Sequence, residues 1–207
     1  MYPRFLKRLF DILLSLIGMI LLFPVFLGVV IAIKLDDRGP VLFTHKRVGR
    51  HQRYFDLYKF RSMKVSSPDL PTHLMKNSGA YITRVGAFLR KTSIDELPQL
   101  WNILKGDMSV VGPRPALWSQ EDLVALREKY GVNDVRPGLT GWAQINGRDE
   151  LSIEEKVRFD AEYVRRMSFL FDCKCFFGSV LPVLRSEGIQ AGETEEKQEQ
   201  DRGKVAK

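Results

Sequence analysis

The chain reads as an α+β protein. It pairs an N-terminal re-entrant membrane helix-hairpin with a compact, mostly helical cytoplasmic domain that has a small β element and interfacial amphipathic helices. Three observations predict this. Ile12 to Ile33 is an uncharged apolar run of 22 residues with Pro24 near its middle. Tyr54 to Phe60 alternates apolar and polar residues between turn signals, as a strand does. From Val85 onward apolar residues recur at helical spacing, with helix start and stop signals between the segments. The expected divisions are residues 1–36 for the membrane helix with its basic flanks, 37–190 for the folded domain and 191–207 for a charged, disordered tail.

The apolar run extends roughly 33 Å as a straight helix at ~1.5 Å per residue, enough to cross a bilayer core. Pro24 argues against a straight rod, because an interior proline removes one helical hydrogen bond and clashes with the preceding turn; Gly18 and Gly28 point the same way. Arg4, Lys7 and Arg8 before the run predict a cytoplasmic N-terminus. Lys34 and Arg38 behind it are also basic, which favours a helix broken at Pro24 that dips in and returns over a single crossing. A cleaved signal peptide fits poorly, since Lys34-Leu35-Asp36-Asp37 offers no small-residue cleavage site.

The 207 residues carry a formal charge of +7. Residues 191–207 hold five acids and four bases, so residues 1–190 keep 28 bases and 20 acids, a surplus of eight. That surplus suits anionic lipid headgroups or phosphate-bearing substrates. Aromatic and basic residues interleave at His51 to Arg61, but no nucleic-acid-binding motif is present and no nucleic-acid partner is expected. Cys173 and Cys175 are too close for a relaxed disulfide and too few for structural zinc, and read as reduced packing residues.

After the membrane segment, Arg38-Gly39-Pro40 is a turn, Val41 to Phe43 a short strand, Val48-Gly49-Arg50 a turn and Tyr54 to Phe60 a strand. Ser66 to Pro71 is loop, and Leu74 to Leu89 includes a helical piece at Val85 to Leu89. Leu97 to Leu104 is helical and ends near Gly106; Glu121 to Tyr130 is a helix closed by Gly131. Arg136-Pro137-Gly138 and Gly141 mark a rigid loop. Ser152 to Met167 is a helix in which Ser152 and Glu155 form a capping box. Phe169 to Leu184 has helical spacing interrupted by Pro182, and either lies along a membrane interface or packs as a core helix.

Four stretches could carry chemistry. Asp95 and Glu96 stand just before a proline-started helix beside Arg90 and Lys91. Ionised carboxylates there can attack phosphorus or ligate magnesium, although Ser93 to Glu96 also has the spacing of a plain capping box. Gly112-Pro113-Arg114-Pro115 brackets an arginine on a stiff loop, a bidentate donor for an anion or else a solvated turn residue. Arg136-Pro137-Gly138-Leu139-Thr140-Gly141-Trp142 repeats the design, with Trp142 either stacking on a base or buried in the core. In Tyr58-Lys59-Phe60-Arg61, Lys59 and Arg61 share one strand face, as ligand contacts or as solvated cations. Neither a P-loop nor a Rossmann fingerprint is present, His45, His51 and His73 lack metal spacing, and Ser109 has no histidine partner in sequence. Carboxylates, arginines and lysines remain, and they suit phosphoryl transfer with a divalent metal. A non-catalytic basic membrane adaptor is the alternative.

These stretches together resemble the bacterial sugar transferases, or monotopic phosphoglycosyl transferases, in their minimal catalytic form without additional N-terminal membrane helices. The likeness runs from Lys7 to Gly188: Lys7-Arg8-Leu9-Phe10-Asp11, Gly39 to Phe43, Lys59 to Met63, Thr92 to Leu100, Leu104 to Ser109, Gly112 to Pro115 and Arg136 to Gly147. The resemblance implies an enzyme of the bacterial inner membrane's cytoplasmic face, with Pro24 as the helix break. It implies transfer of a sugar 1-phosphate from a UDP-sugar to polyprenyl (undecaprenyl) phosphate with release of UMP, as the first membrane step of a glycan pathway such as capsule, O-antigen or glycoprotein synthesis. Asp95 matches the nucleophile, giving a covalent aspartyl-phosphosugar, and Glu96 its Mg2+-side partner. Lys59, Arg90, Arg114, Arg136, Thr140 and Trp142 match phosphate or nucleotide contacts. Lys91 to Pro98 and Tyr81-Ile82-Thr83 are closest to short forms whose donors are UDP-linked N-acetylated 6-deoxyhexosamines. Membrane lipids, a homodimer partner and downstream glycosyltransferases complete the expected partners.

Overall fold

The computed structural model describes residues 2–67, 78–147 and 150–185; His73, most of the loop expected at 66–71 and the charged tail at 191–207 lie outside the described residues. Two helices, α1 (Lys7–Leu21) and α2 (Phe23–Asp36), meet at Leu22 with a 60° bend, and Pro24 sits in the first turn of α2. No single described helix is long and apolar enough to cross a membrane, while this bent pair meets the criterion together.

The burial of α1 is inverted relative to a soluble amphipathic helix. Lys7, Asp11 and Ser15, spaced four residues apart on one face, are its buried residues. Leu9, Leu13, Leu14, Leu16, Ile17, Ile20 and Leu21 are exposed. Asp11 Oδ1 accepts bonds from Ser109 Oγ and Val110 N–H, both at 2.9 Å, and Lys7 Nζ donates to Asp172 at 2.6 Å. Gly18 faces Leu100 closely enough that a Cβ would come within 3.3 Å of its methyl. The far end of the pair is tied down as well. Asp36 accepts from Val85 N–H, Asp37 accepts from Val65 N–H and pairs with Arg61, and Arg61 also donates to the Asp37 carbonyl. Both ends of the bent pair therefore bond to the same folded body.

That body is built on two small sheets. β1 (Leu42–Val48) and β2 (Tyr54–Phe60) form an antiparallel ribbon with Phe43 opposite Lys59. β1 is longer than the three residues its sequence announces, because Thr44 to Arg47 pair across the ribbon despite their polarity. β3 (Ser109–Val111) and β4 (Gly138–Thr140) pair in parallel. The expected rigid loop at Arg136 to Gly141 thus contains a strand. Only glycine permits this pairing, since a Cβ on Gly138 would lie 2.1 Å from Gly112 N.

Helices α3 (Arg84–Thr92), α4 (Gln99–Lys105), α5 (Glu121–Glu128), α6 (Trp142–Ile145), α7 (Ile153–Arg166) and α8 (Phe169–Arg185) surround the sheets. Thr83 caps α3, the Ser152–Glu155 capping box starts α7, and Gly106 at φ +97 ends α4, a conformation glycine adopts without steric cost. α8 runs unbroken through Pro182, which removes one donor without ending the ladder. The main core joins Leu57, Leu100, Ile103, Met108, Val110, Val111, Tyr163, Phe171 and Cys175. α8 is core and surface at once: Phe171 and Cys175 are buried, while Phe169, Leu170 and Phe177 are exposed, Phe169 against Phe10 of α1. The mixed helix-and-strand architecture is the α+β class expected from the sequence.

Candidate active site

The two carboxylates occupy one tight turn. α3 ends at Thr92, Ser93 takes a left-handed conformation at φ 56, and Ile94–Glu96 forms a single 3-10 turn before Pro98 and α4. Ser93 makes no side-chain cap bond, so the capping-box alternative fails; the Glu96 N–H bonds the Ser93 carbonyl instead, at 3.1 Å. A non-glycine residue at positive φ costs on the order of 1 kcal/mol and here reverses the chain beside the dyad. Asp95 is buried, and both carboxylate heads meet the cation of Lys59.

Lys59 Nζ donates to Glu96 Oε1 at 2.8 Å and to Asp95 Oδ2 at 3.4 Å. Arg114 Nη2 donates to the same Glu96 oxygen at 2.8 Å. This unequal sharing separates the two acids. Burial pushes the Glu96 carboxyl up, but Arg114 and Lys59 outweigh it and hold Glu96 well below the usual carboxylate range. Burial dominates at Asp95: its pKa is raised despite Lys59 and Arg90, and the Glu96 charge adds to the rise. Glu96 is the anchored anion, and Asp95 the more basic, less neutralised one.

Each cation is positioned by a rigid element. Lys59 comes from β2. Arg114 follows β3, and its carbonyl accepts a 2.9 Å bond from Arg127 Nη1. Arg127 in turn donates through Nε and Nη2 to Asp160 Oδ2, at 3.0 and 2.6 Å, in a buried ion pair between α5 and α7. Arg90 donates through Nε to Ser62 Oγ at 2.9 Å, and its charge lowers the Asp95 pKa. Beside Glu96 opens a cleft of about 170 Å³ lined by Ser93, Leu97, Arg114, Thr140, Gln144 and Phe176 among others. An apolar groove of about 520 Å³ lies between α1–α2 and the body, lined by Met19, Phe26, Val30, Leu97, Pro98 and Trp101 among others. Leu97, one residue past the dyad, lines both.

A tight carboxylate turn clamped by Lys59 and Arg114 is the site on which comparison with known proteins bears. The chain matches the bacterial sugar transferase family model over residues 2–186. It belongs to that family. It is similar to a UDP-glucose:undecaprenyl-phosphate glucose-1-phosphate transferase of Escherichia coli K12, 44% identical over 184 residues, covering 86% of this chain and 40% of that protein. An undecaprenyl-phosphate galactose phosphotransferase of Salmonella typhimurium is 38% identical over 200 residues, covering 89% of this chain and 42% of that protein. The chain thus spans well under half the length of these two relatives. An uncharacterized sugar transferase of Bacillus subtilis, EpsL, is matched at 42% over 185 residues, 89% of this chain and 90% of that protein.

Within the family's matched region, the structure brings together Asp95, Glu96, Lys59 and Arg114, with Arg90 behind Asp95 and Thr140 in the cleft wall. It does not bring Arg136 or Trp142 there. Arg136 donates to the Gly106 carbonyl at the opposite end of α4 from the dyad, where its charged neighbours are Arg8, Arg50 and Asp11. Trp142 donates its indole N–H to Glu162 at 2.8 Å, and its ring lies against Phe159 and Phe171 under the Lys174 ammonium, which is a packing role. Arg61 is not a solvated cation either; it closes α2 onto β2 through Asp37. Sequence reasoning missed Gln144, Arg127 and Asp160, whose roles depend on burial that no spacing announces. Among the described residues no group of three or more His, Cys, Asp and Glu could hold a metal by itself.

Proposed function

We propose that this protein is a membrane-seated phosphoglycosyl transferase. It moves a sugar 1-phosphate from a UDP-sugar to polyprenyl phosphate, with Asp95 as the nucleophile. The observation that carries this reading is the asymmetry of the dyad: Glu96 is clamped by two cations at 2.8 Å, while the more basic Asp95 meets the Lys59 ammonium at 3.4 Å. A carboxylate oxygen of Asp95 attacks the sugar-bearing phosphorus, the bond to the bridging oxygen breaks, and UMP departs with that oxygen and its electron pair. The lipid phosphate oxygen then attacks the same phosphorus and returns Asp95 to its free carboxylate. Lys59 and Arg114 offer fixed positive charge where the diphosphate and departing UMP are most negative.

Magnesium suits the donor set, since this cation is commonly held by one or two carboxylates plus substrate phosphates. Glu96 would hold it, and it would supply charge neutralisation at the diphosphate. The lipid acceptor is supported by the apolar groove that reaches Leu97 from α1 and α2. Membrane seating is supported by the inverted burial of α1, whose polar face docks on the body and whose apolar face is exposed. Both ends of the bent pair bond to one body, which fits a re-entrant hairpin on the cytoplasmic leaflet. Lys34→Cys, in a chain lacking Cys173 and Cys175, should react with a membrane-impermeant thiol reagent only from the cytoplasmic side. Labelling from the opposite face would reject the hairpin.

For the donor we favour a UDP-linked N-acetylated 6-deoxyhexosamine, on the likeness carried by Lys91 to Pro98. The two transferases named above carry glucose and galactose in their names, so a donor panel must include both. Purified protein with magnesium, polyprenyl phosphate and the cognate donor should release UMP. No UMP from any UDP-sugar would reject the transferase in favour of a basic membrane adaptor.

A further inference from the structure

The cleft beside Glu96 holds two buried polar side chains that the displacement chemistry leaves unused. Gln144 is 8% exposed as a residue, both amide atoms are buried, and among the described residues neither Oε1 nor Nε2 meets a hydrogen-bond partner. Thr140 Oγ1, in the same lining, is buried without one as well. Buried amides and hydroxyls are almost always paired, because desolvating one without a partner is costly. Three unpaired polar atoms on two side chains that line one cleft therefore mark groups kept for a ligand.

The backbone is built around this amide. α6 starts from Gly141, where a Cβ would stand 2.1 Å from the Gly112 carbonyl oxygen and 2.9 Å from Gln144 Oε1. The side chain thus lies close over a glycine that leaves room for it. Leu97, Val110, Leu139 and Phe176 make the remaining lining largely apolar. At about 170 Å³ the cleft is below the ~300–1,000 Å³ of a drug-sized site, and suits one ring rather than a whole nucleotide sugar. A neutral amide and hydroxyl suit a neutral hydrogen-bonding ring. A phosphate is already met by Lys59 and Arg114.

We propose that Gln144, with Thr140, forms a specificity subsite for a neutral ring of the donor, held next to the Asp95–Glu96 dyad. This rests on the transferase reading above. The amide offers two donor hydrogens and a carbonyl acceptor, complementary to a group with an N–H or O–H beside a carbonyl or hydroxyl oxygen. Two parts of a UDP-sugar carry that chemistry: the uracil imide edge and the substituted sugar.

The test uses the full chain in detergent with Gln144→Met, which keeps length and removes both polar atoms. Calorimetric affinities for UMP and for UDP-sugars are read beside UMP release across a donor panel. For the best donor, kcat/KM should fall about tenfold or more, because a site built to hydrogen-bond its ligand loses that binding with the bond; discrimination among donors shrinks as well if the ring is the sugar, and stays unchanged, at an unchanged melting temperature, if it is the shared base. The melting temperature should hold or rise, since an unpaired buried amide is gone. If the ring is the base, UMP affinity falls too; if it is the sugar, only nucleotide-sugar affinity falls. Unchanged kinetics and affinities in a folded variant would overturn the subsite. An equal loss toward every donor accompanied by a lower melting temperature would also overturn it, leaving Gln144 a packing role. Wild-type protein that binds UDP-sugars but releases no UMP would reject the transferase reading while leaving the affinity comparison intact.

Discussion

Asp95→Asn is expected to stop UMP release altogether while the protein melts at or above the wild-type temperature. The two halves of this expectation share one cause. Asp95 is buried beside the Glu96 charge, and the Lys59 ammonium at 3.4 Å does not offset that burial, so its charged form is disfavoured and its pKa is raised. A raised carboxyl pKa means that the folded state holds the proton more tightly than the unfolded chain. The associated stability is present below the unfolded pKa and lost as pH rises through the folded one. At neutral pH the ionised Asp95 is therefore a strain on the fold, and the amide relieves it while abolishing the nucleophile. The same shift sets the pH profile of the proposed mechanism, in which ionised Asp95 is the attacking form: kcat/KM should fall as pH is lowered through a carboxyl pKa raised from the ordinary aspartate value. Glu96, held low by Arg114 and Lys59, should add no limb in that window. Turnover by Asp95→Asn, checked by single-turnover UMP assay and by mass spectrometry for a phosphosugar on the peptide containing residue 95, would remove Asp95 from the mechanism.

Arg127→Met should destabilise the protein by about 3–5 kcal/mol, the usual consequence of removing one partner of a buried ion pair. Both Arg127 and Asp160 are buried, at 6% and 1% exposure; Arg127 bonds Asp160 Oδ2, and Oδ1 has no hydrogen-bond partner among the described residues. The variant leaves Asp160 with only the more distant Lys156 charge against its desolvation. The Arg114 carbonyl loses its bond from Arg127 as well, so the loop that aims the guanidinium at Glu96 loosens. Activity should thus fall at temperatures where the variant is still folded. Arg127→Met/Asp160→Leu, which removes both charges, should recover much of the stability without recovering the aim of Arg114. Denaturant unfolding of the three proteins measures the first effect and donor KM the second. A single variant within 1 kcal/mol of wild type would show that this pair is not needed for the fold.

Local chemistry made several elements legible in advance. The strand at Tyr54 to Phe60, the Ser152–Glu155 capping box, Gly106 at the end of α4 and the break near Pro24 all depend on neighbours within about four residues. The carboxylate pair was legible for the same reason, as adjacent acids beside a proline-started helix. The strand β4 was hidden because three residues reading Gly-Leu-Thr have no periodicity, and only a close parallel partner makes them a strand. The polar stripe Lys7, Asp11 and Ser15 does have helical spacing, but only its docking on Asp172, Ser109 and Val110 shows that it faces inward.

Asp95 and Glu96 are adjacent in the chain, so covalent connection alone guarantees that two acids share one turn. Their inequality is a tertiary property. It requires Lys59, 36 residues upstream of Asp95, and Arg114, 18 residues downstream of Glu96, to converge on one oxygen of Glu96 and leave Asp95 the less compensated. Arg114 and Arg136 look alike in their proline-flanked loops, yet packing sends one to the dyad and the other to the far end of α4. Coulomb attraction and desolvation depend on distance through space and on excluded water. Order along the chain specifies neither, and the folded chain supplies both.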